Sequence, residues 1–227
     1  MLTICRRTED ESSGTVKIGM KFKSENLMKK IMFNDLFGLT RAVLTGKKTQ
    51  TRRIAYDFRK HVTCQISFRN IKTSFGSITY LEEGQVPYEL SKSRYKVGEE
   101  VAVAQSYMDI LGDEYLPPSV EDEVITLVQA NSKGISNKMF VRADLMPHSI
   151  KILDYHVEHL QDISDEDCIK EGVRTDGYAQ KYYTVSGFKN HYSTPQEAFA
   201  HLIDKLAGKG TWDSNPYVYV YEFEKVR

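Results

Sequence analysis

The stretch Ile31–Arg53, IMFNDLFGLTRAVLTGKKTQTRR, decides how the rest of the chain is read. Ile31-Met32-Phe33 is a short apolar run suited to a buried strand. Asn34 or Asp35 then caps a helix on which Leu36, Leu39 and Val43 recur at helical spacing, and Gly46 stands where a C-terminal glycine belongs. Beyond it, Lys47 to Arg53 reads as an extended segment. Side chains of an extended chain alternate, so Thr51 and Arg53 face one way and Gln50 and Arg52 the other, with Lys48 near the bend. Thr45-Gly46-Lys47 superficially resembles a phosphate-binding P-loop. That motif needs a glycine where Arg41 stands and a Ser or Thr where Lys48 stands, so it is excluded.

Outward from this core the pattern is one of short strands with a few helices. Val62, Cys64, Ile66 and Phe68 alternate with polar residues, with Ile78–Leu81 as their partner across Gly76-Ser77. Val97-Gly98-Glu99-Glu100 is a turn into Val101-Ala102-Val103, and Ile125–Val128, Met139–Arg142, Ile150–His159 and Tyr217–Phe223 read as further strands. Ser164 with Asp167 three residues on marks a helix start, and Gly172 its end. Thr194-Pro195-Gln196-Glu197 opens a second helix, whose Phe199, Leu202, Ile203 and Leu206 form one apolar stripe ended by Gly208. The expectation is an α+β protein: a small, mostly antiparallel barrel or curved sheet with helices packed on it. Residues 1–27 are polar and aperiodic and read as a poorly ordered or accessory extension; 28–227 read as a single domain with insertions near 55–94 and 174–193.

Charge adds a second signal. The 227 residues carry 31 basic and 31 acidic side chains, yet these are segregated. Arg41–Lys60 holds seven basic residues against Asp57 alone, and Asp154–Glu171 seven acidic ones against Lys170 alone. Either one face attracts a polyanion, or the two segments lie side by side and neutralise each other. No stretch approaches the ~20 apolar residues of a spanning helix, so no membrane is expected. Met1–Gly14 lacks the apolar core of a signal peptide, and the scattered Cys5, Cys64 and Cys168 point to a reducing, cytoplasmic setting without disulfides or a zinc site.

The spacing G-x-K-x-x-T-x-R, present as Gly46, Lys48, Thr51 and Arg53, resembles the ASCH family. Three further blocks follow in the family's order: Tyr95–Val103, the acidic helix Asp162–Val173 and the closing strand Trp212–Glu224. The resemblance implies a PUA-like barrel, as in phage and bacterial ASCH-domain proteins, that binds RNA or a modified nucleotide or nucleoside. Some members of the family remove acyl groups from N4-acylated cytidine with a Lys, a Thr and a Glu. Carried over, these roles fall on Lys48, Thr51 and Glu171, with no metal or other cofactor. Ligand contacts fall on Gly46, Lys47, Arg52, Arg53, Gln105, Tyr107 and Trp212. The chain departs from the family where an aromatic, a cation and an acid are usual: Ala102, Ala104 and Gln105 occupy that strand region.

The remaining polar residues carry less chemistry. His156 and His159, three apart on a strand, face opposite sides and make a poor metal pair. Cys168 lies among carboxylates that disfavour a thiolate. Two functions from different classes follow: a binding module for RNA or a nucleotide, and an amidohydrolase acting on N4-acetylcytidine or a related small amide.

Overall fold

The computed structural model describes residues 28–55, 93–177 and 182–226. The alternating segments Val62–Phe68 and Ile78–Leu81, and the extension 1–27, lie outside these residues. Five strands form the main sheet: β1 (Lys29–Ile31), β2 (Gln50–Ile54), β3 (Glu100–Val103), β4 (Ser149–His159) and β7 (Tyr217–Lys225). Their spatial order is β1-β3-β4-β7-β2. Only the β1–β3 pair is parallel; the other three are antiparallel, and β4 shifts register between Ile152 and Asp154. A separate two-stranded ribbon pairs β5 (Arg174–Asp176) with β6 (Tyr182–Thr184). The α+β class is thus observed, whereas the sheet of the described residues does not close into a barrel.

Alternation along β7 explains its central place. Val218, Val220 and Tyr221 are at most 1% exposed, so both faces of the strand are covered. Tyr221 meets Tyr95 edge-on at 5.3 Å between ring centroids, and Phe223 meets Phe33 at 5.8 Å. Helices α4 (Asp165–Lys170) and α5 (Pro195–Ala207) pack on each other, and α4 also lies against β2. Both have the caps their sequences specify: Ser164 accepts from the Asp167 N–H and Thr194 from the Glu197 N–H.

Two expected strands are helical instead. Ile125–Val128 lies inside α3 (Pro118–Gln129), and Met139–Arg142 overlaps a 3₁₀ turn, Lys138–Phe140. Pro118 starts α3, and Val120, Val124, Leu127 and Val128 recur every three or four residues, so the period is helical once the whole segment is considered. With α2 (Tyr107–Ile110) these pieces, which lie between β3 and β4 in the chain, build a second apolar cluster against β3. Ala102 and Ala104 are fully buried in it, beside Tyr107, Ile110 and Val124. The small side chains of Ala102 and Ala104 are therefore where this helical layer meets the sheet.

The first helix is also shorter than expected. The chain turns over Asp35–Gly38, and α1 begins at Leu39 and ends at Leu44. Asn34 Oδ1 accepts from the Phe37 N–H at 3.3 Å, so it caps the turn rather than the helix. Leu36 consequently leaves the apolar stripe and is 75% exposed. Among the described residues no helix is long and apolar enough to cross a membrane.

Candidate functional site

The turn after α1 holds Lys48 in place through its backbone. Gly46 adopts φ +70°, which favours glycine, and the Lys47 and Lys48 N–H groups both donate to the Ala42 carbonyl. The next residue ties the turn to two neighbours: the Thr49 N–H donates to Lys170 O of α4, and its carbonyl accepts from the Phe223 N–H of β7. Glu171 comes from the other side as the C-terminal cap of α4. Gly172 follows at φ +111°, where a Cβ would lie 3.0 Å from Leu39 and 3.9 Å from the Lys48 side chain. Glycine at this φ ends α4 directly after Glu171, where the glutamate meets a lysine 123 positions away in the chain.

Their meeting is a buried ion pair. Lys48 Nζ lies 2.5 Å from Glu171 Oε2 and donates to the Glu171 carbonyl at 2.7 Å, with the two side chains 1% and 6% exposed. Burial lowers the Lys48 pKa. Glu171 opposes the shift, Arg53 and Arg52 add to it, and the net direction is down. The amine also lies 5.9 Å from the Phe33 ring centroid, with the Arg53 guanidinium 5.6 Å from the same ring.

Arg52 is the hub of the acidic side. It lies 2.7 Å from Glu158 Oε1 of β4 and 3.3 Å from both Asp167 and Glu171, with its own side chain 1% exposed. It also donates to Gln50 Oε1 at 3.3 Å, consistent with the two sharing a strand face. Burial would weaken its charge, but Glu171, Glu158 and Asp167 together outweigh it and raise the pKa. In return, Glu158 is lowered: burial pushes it up, and its bonds with His156 and Arg52 more than reverse this. Asp167 is lowered in the same way, with Lys170 and Arg52 overcoming burial. Lys48 and Arg52 of the basic segment thus pair with Glu158, Asp167 and Glu171 of the acidic one; Arg59 and Lys60 lie outside the described residues.

Lys48, Thr51, Arg52, Arg53 and Glu171 all line one cavity of about 620 Å³. Thr51 is 4% exposed, and its hydroxyl has no hydrogen-bond partner among the described residues. Arg53 projects from the same strand face and donates to the Met32 carbonyl at 2.7 Å. At the rim, Lys138 Nζ lies 2.6 Å from Asp35 and also donates to the Phe33 carbonyl. The other wall is apolar and belongs mainly to α5.

Five of the expected ligand contacts do not line this cavity. Gly46 and Lys47 form the exposed turn behind it. Gln105 and Tyr107 belong to the second cluster: Gln105 is 7% exposed, and the Tyr107 hydroxyl accepts from the Arg142 N–H at 3.1 Å. Trp212 packs edge-on against Phe199 at 6.3 Å, behind the apolar wall. Among the described residues no group of three or more His, Cys, Asp or Glu side chains is arranged to hold a metal. His156 instead lies 3.2 Å from Glu158, and His159 stacks on Tyr217 at 3.9 Å. Cys168 is fully buried, which pushes its thiol up to about 12.

Sequence reasoning missed Glu158, Asp167, Lys138 and the α5 wall. Glu158 left a trace, a single acid between Val157 and His159 in an otherwise half-buried strand. The Lys138–Asp35 contact left none. No family model, no curated protein and no solved structure matches the chain.

Proposed function

We propose that this is an ASCH-like protein whose five-stranded sheet belongs to a PUA-like barrel, and that it hydrolyses the amide of a small, uncharged, nucleoside-sized ligand of the N4-acylcytidine type. The observation that carries the proposal is the sharing of one cavity by the Lys48–Glu171 pair and a Thr51 hydroxyl that has no hydrogen-bond partner among the described residues. Charge balance supports a neutral ligand over a polyanion. The cations Lys48, Arg52 and Lys138 each have a carboxylate within 3.3 Å, leaving Arg53 to meet a ligand with no ion pair of its own among the described residues. A site that neutralises its own charge offers little to a phosphate backbone, whose binding rests on free cations.

The chemistry is acyl transfer followed by hydrolysis. An amide is a poor electrophile, and a threonine hydroxyl needs a base beside it. Lys48 rests as the ammonium of its ion pair with Glu171; burial lowers its pKa and so eases loss of a proton, and the amine of the deprotonated fraction takes the Thr51 proton as the Thr51 oxygen bonds to the acyl carbon. Glu171 stabilises the ammonium so formed. The proton then passes to the departing nitrogen as the C–N bond breaks, releasing the amine. Water next attacks the Thr51 ester, giving up a proton to the regenerated Lys48 amine, which passes it to the Thr51 oxygen as the acyl–oxygen bond breaks and the acid departs. In the free protein Lys48 Nζ bonds to Glu171 and not to Thr51, so the mechanism requires a Thr51–Lys48 hydrogen bond that forms with substrate in place.

The test is a panel of N4-acylcytidines, cytidine and RNA oligonucleotides, scored for retention and for cytidine release at two salt concentrations. Expected are release that varies little with salt and its loss in Lys48→Ala and Glu171→Gln. RNA retention falling steeply with salt, with no nucleoside release, would instead establish the binding module.

A further inference from the structure

The cavity has two unlike walls. Its lining joins Lys48, Thr51 and Glu171 with the apolar side chains of α5 and with Ile54, the last residue of β2. Of the apolar lining, Phe199, Leu202 and Ile203 are at most 6% exposed. Leu206 is 40% exposed, Ile54 47% and Leu36 75%. Three large aliphatic side chains thus remain uncovered on the lining of a single concave site. Single exposed apolar residues are ordinary, but three that converge on one cavity form a patch with a use. The volume, about 620 Å³, lies well inside the ~300–1,000 Å³ range of sites that enclose a drug-sized molecule. A nucleobase at the charged end leaves the aliphatic end unfilled.

We infer that this wall selects the acyl half of the substrate: the chain acts on amides whose acyl group is an aliphatic tail of several carbons, laid along Leu206, Ile54 and Leu36, in preference to acetyl amides. The inference rests on the amidohydrolase reading of the same cavity and deepens it. Its physical basis is simple. The charged end is neutralised by its own ion pairs and gains little from a larger polar ligand, whereas every methylene placed on the aliphatic wall leaves water. The reacting carbonyl must sit at Thr51, so the direction of the tail is fixed by the position of the wall. Each added methylene is expected to raise kcat/KM by about fourfold until the tail outruns the wall.

The experiment compares N4-acetyl-, N4-butanoyl- and N4-hexanoylcytidine with the full chain, reading both equilibrium binding and cytidine release. The expected result is a hexanoyl-to-acetyl ratio in kcat/KM on the order of 10²-fold. Leu206→Asp and, separately, Leu36→Ser should cut that ratio by about tenfold or more while circular dichroism stays unchanged. Both side chains are substantially exposed, so either variant should fold. Release that is equal across the series, or a ratio untouched by both variants, would overturn the acyl-tail inference and leave the hydrolase reading standing. Binding that strengthens with tail length, without release, would uphold the wall's role and overturn the hydrolase reading. Neither binding nor release of any member would overturn both.

Discussion

Replacing Arg52 with methionine isolates the charge network on which the cavity is built. The side chain is 1% exposed and faces three carboxylates, at 2.7 Å from Glu158 and 3.3 Å from Asp167 and Glu171. Methionine fills much of the same volume but leaves those acids without their shared cation, and Gln50 loses a donor. Lys48 still faces Glu171 and Lys170 still faces Asp167 at 3.0 Å, whereas Glu158 keeps only the His156 ring at 3.2 Å and is the worst-placed acid. Removing one partner from a buried ion pair costs about 3–5 kcal/mol. At roughly 2–4 °C per kcal/mol for a chain of this size, the melting temperature at pH 7 should fall by roughly 6–20 °C. The pH dependence is the sharper test. Glu158 and Asp167 are held below their ordinary values, so their stabilising contribution is complete above the ordinary carboxylate range and is lost as pH falls through their lowered folded values. The difference between wild type and Arg52→Met should therefore be full at pH 7 and shrink in acid, where the stranded acids of the variant take up protons. Adding Glu158→Gln to Arg52→Met should restore part of the lost stability. A melting difference below about 1 kcal/mol at neutral pH, or one that grows in acid, would refute the reasoning.

Two further outcomes follow from the same geometry. Because the Lys48 pKa is lowered and its neutral form is the base, kcat should be low in acid, rise with pH and level off below pH 10.5, the ordinary value for lysine; a profile still rising at that pH, or one falling as pH rises from acid, would remove Lys48 from the role. Gly172→Ala should destabilise by about 1–3 kcal/mol, since φ is +111° and the new Cβ would lie 3.0 Å from Leu39. Because Glu171 directly precedes it, the variant should lose more turnover than binding, a split readable by steady-state kinetics and thermal melting together.

The parts of the molecule legible in the sequence are those fixed by local chemistry. Ser164 and Thr194 announced their helices because a side-chain oxygen satisfying a free N–H depends on neighbours three residues away. The strands at Val101–Val103, Ile150–His159 and Tyr217–Phe223 were legible because each keeps a strand pattern over its own length. Ile125–Val128 misled because four apolar-rich residues fit either period, and only the wider spacing from Val120 to Val128 decides. Leu36 misled because the helix starts three residues later than its apolar spacing suggests. At the site, the GxKxxTxR spacing picked out Lys48, Thr51 and Arg53 on one strand and its bend, and the acidic helix supplied Glu171. What no local pattern carries is depth. Tyr107 opens the short helix α2 and Trp212 lies in the helical turn Thr211–Ser214, and tertiary packing put both into apolar contacts away from the cavity. The aliphatic wall escaped notice for the converse reason, since the α5 stripe reads as ordinary core until Leu206 is seen uncovered beside Ile54.

The most direct measurement on the central claim is cytidine release from an N4-acylcytidine by wild type and by Thr51→Val, which keeps the side chain's shape and removes only the hydroxyl. Hydrolysis by wild type, with kcat reduced by at least ~10²-fold in a variant that melts at the same temperature and still binds the substrate, is the predicted result. Equal turnover by the two proteins would contradict a nucleophilic Thr51 and with it the hydrolytic reading of the cavity.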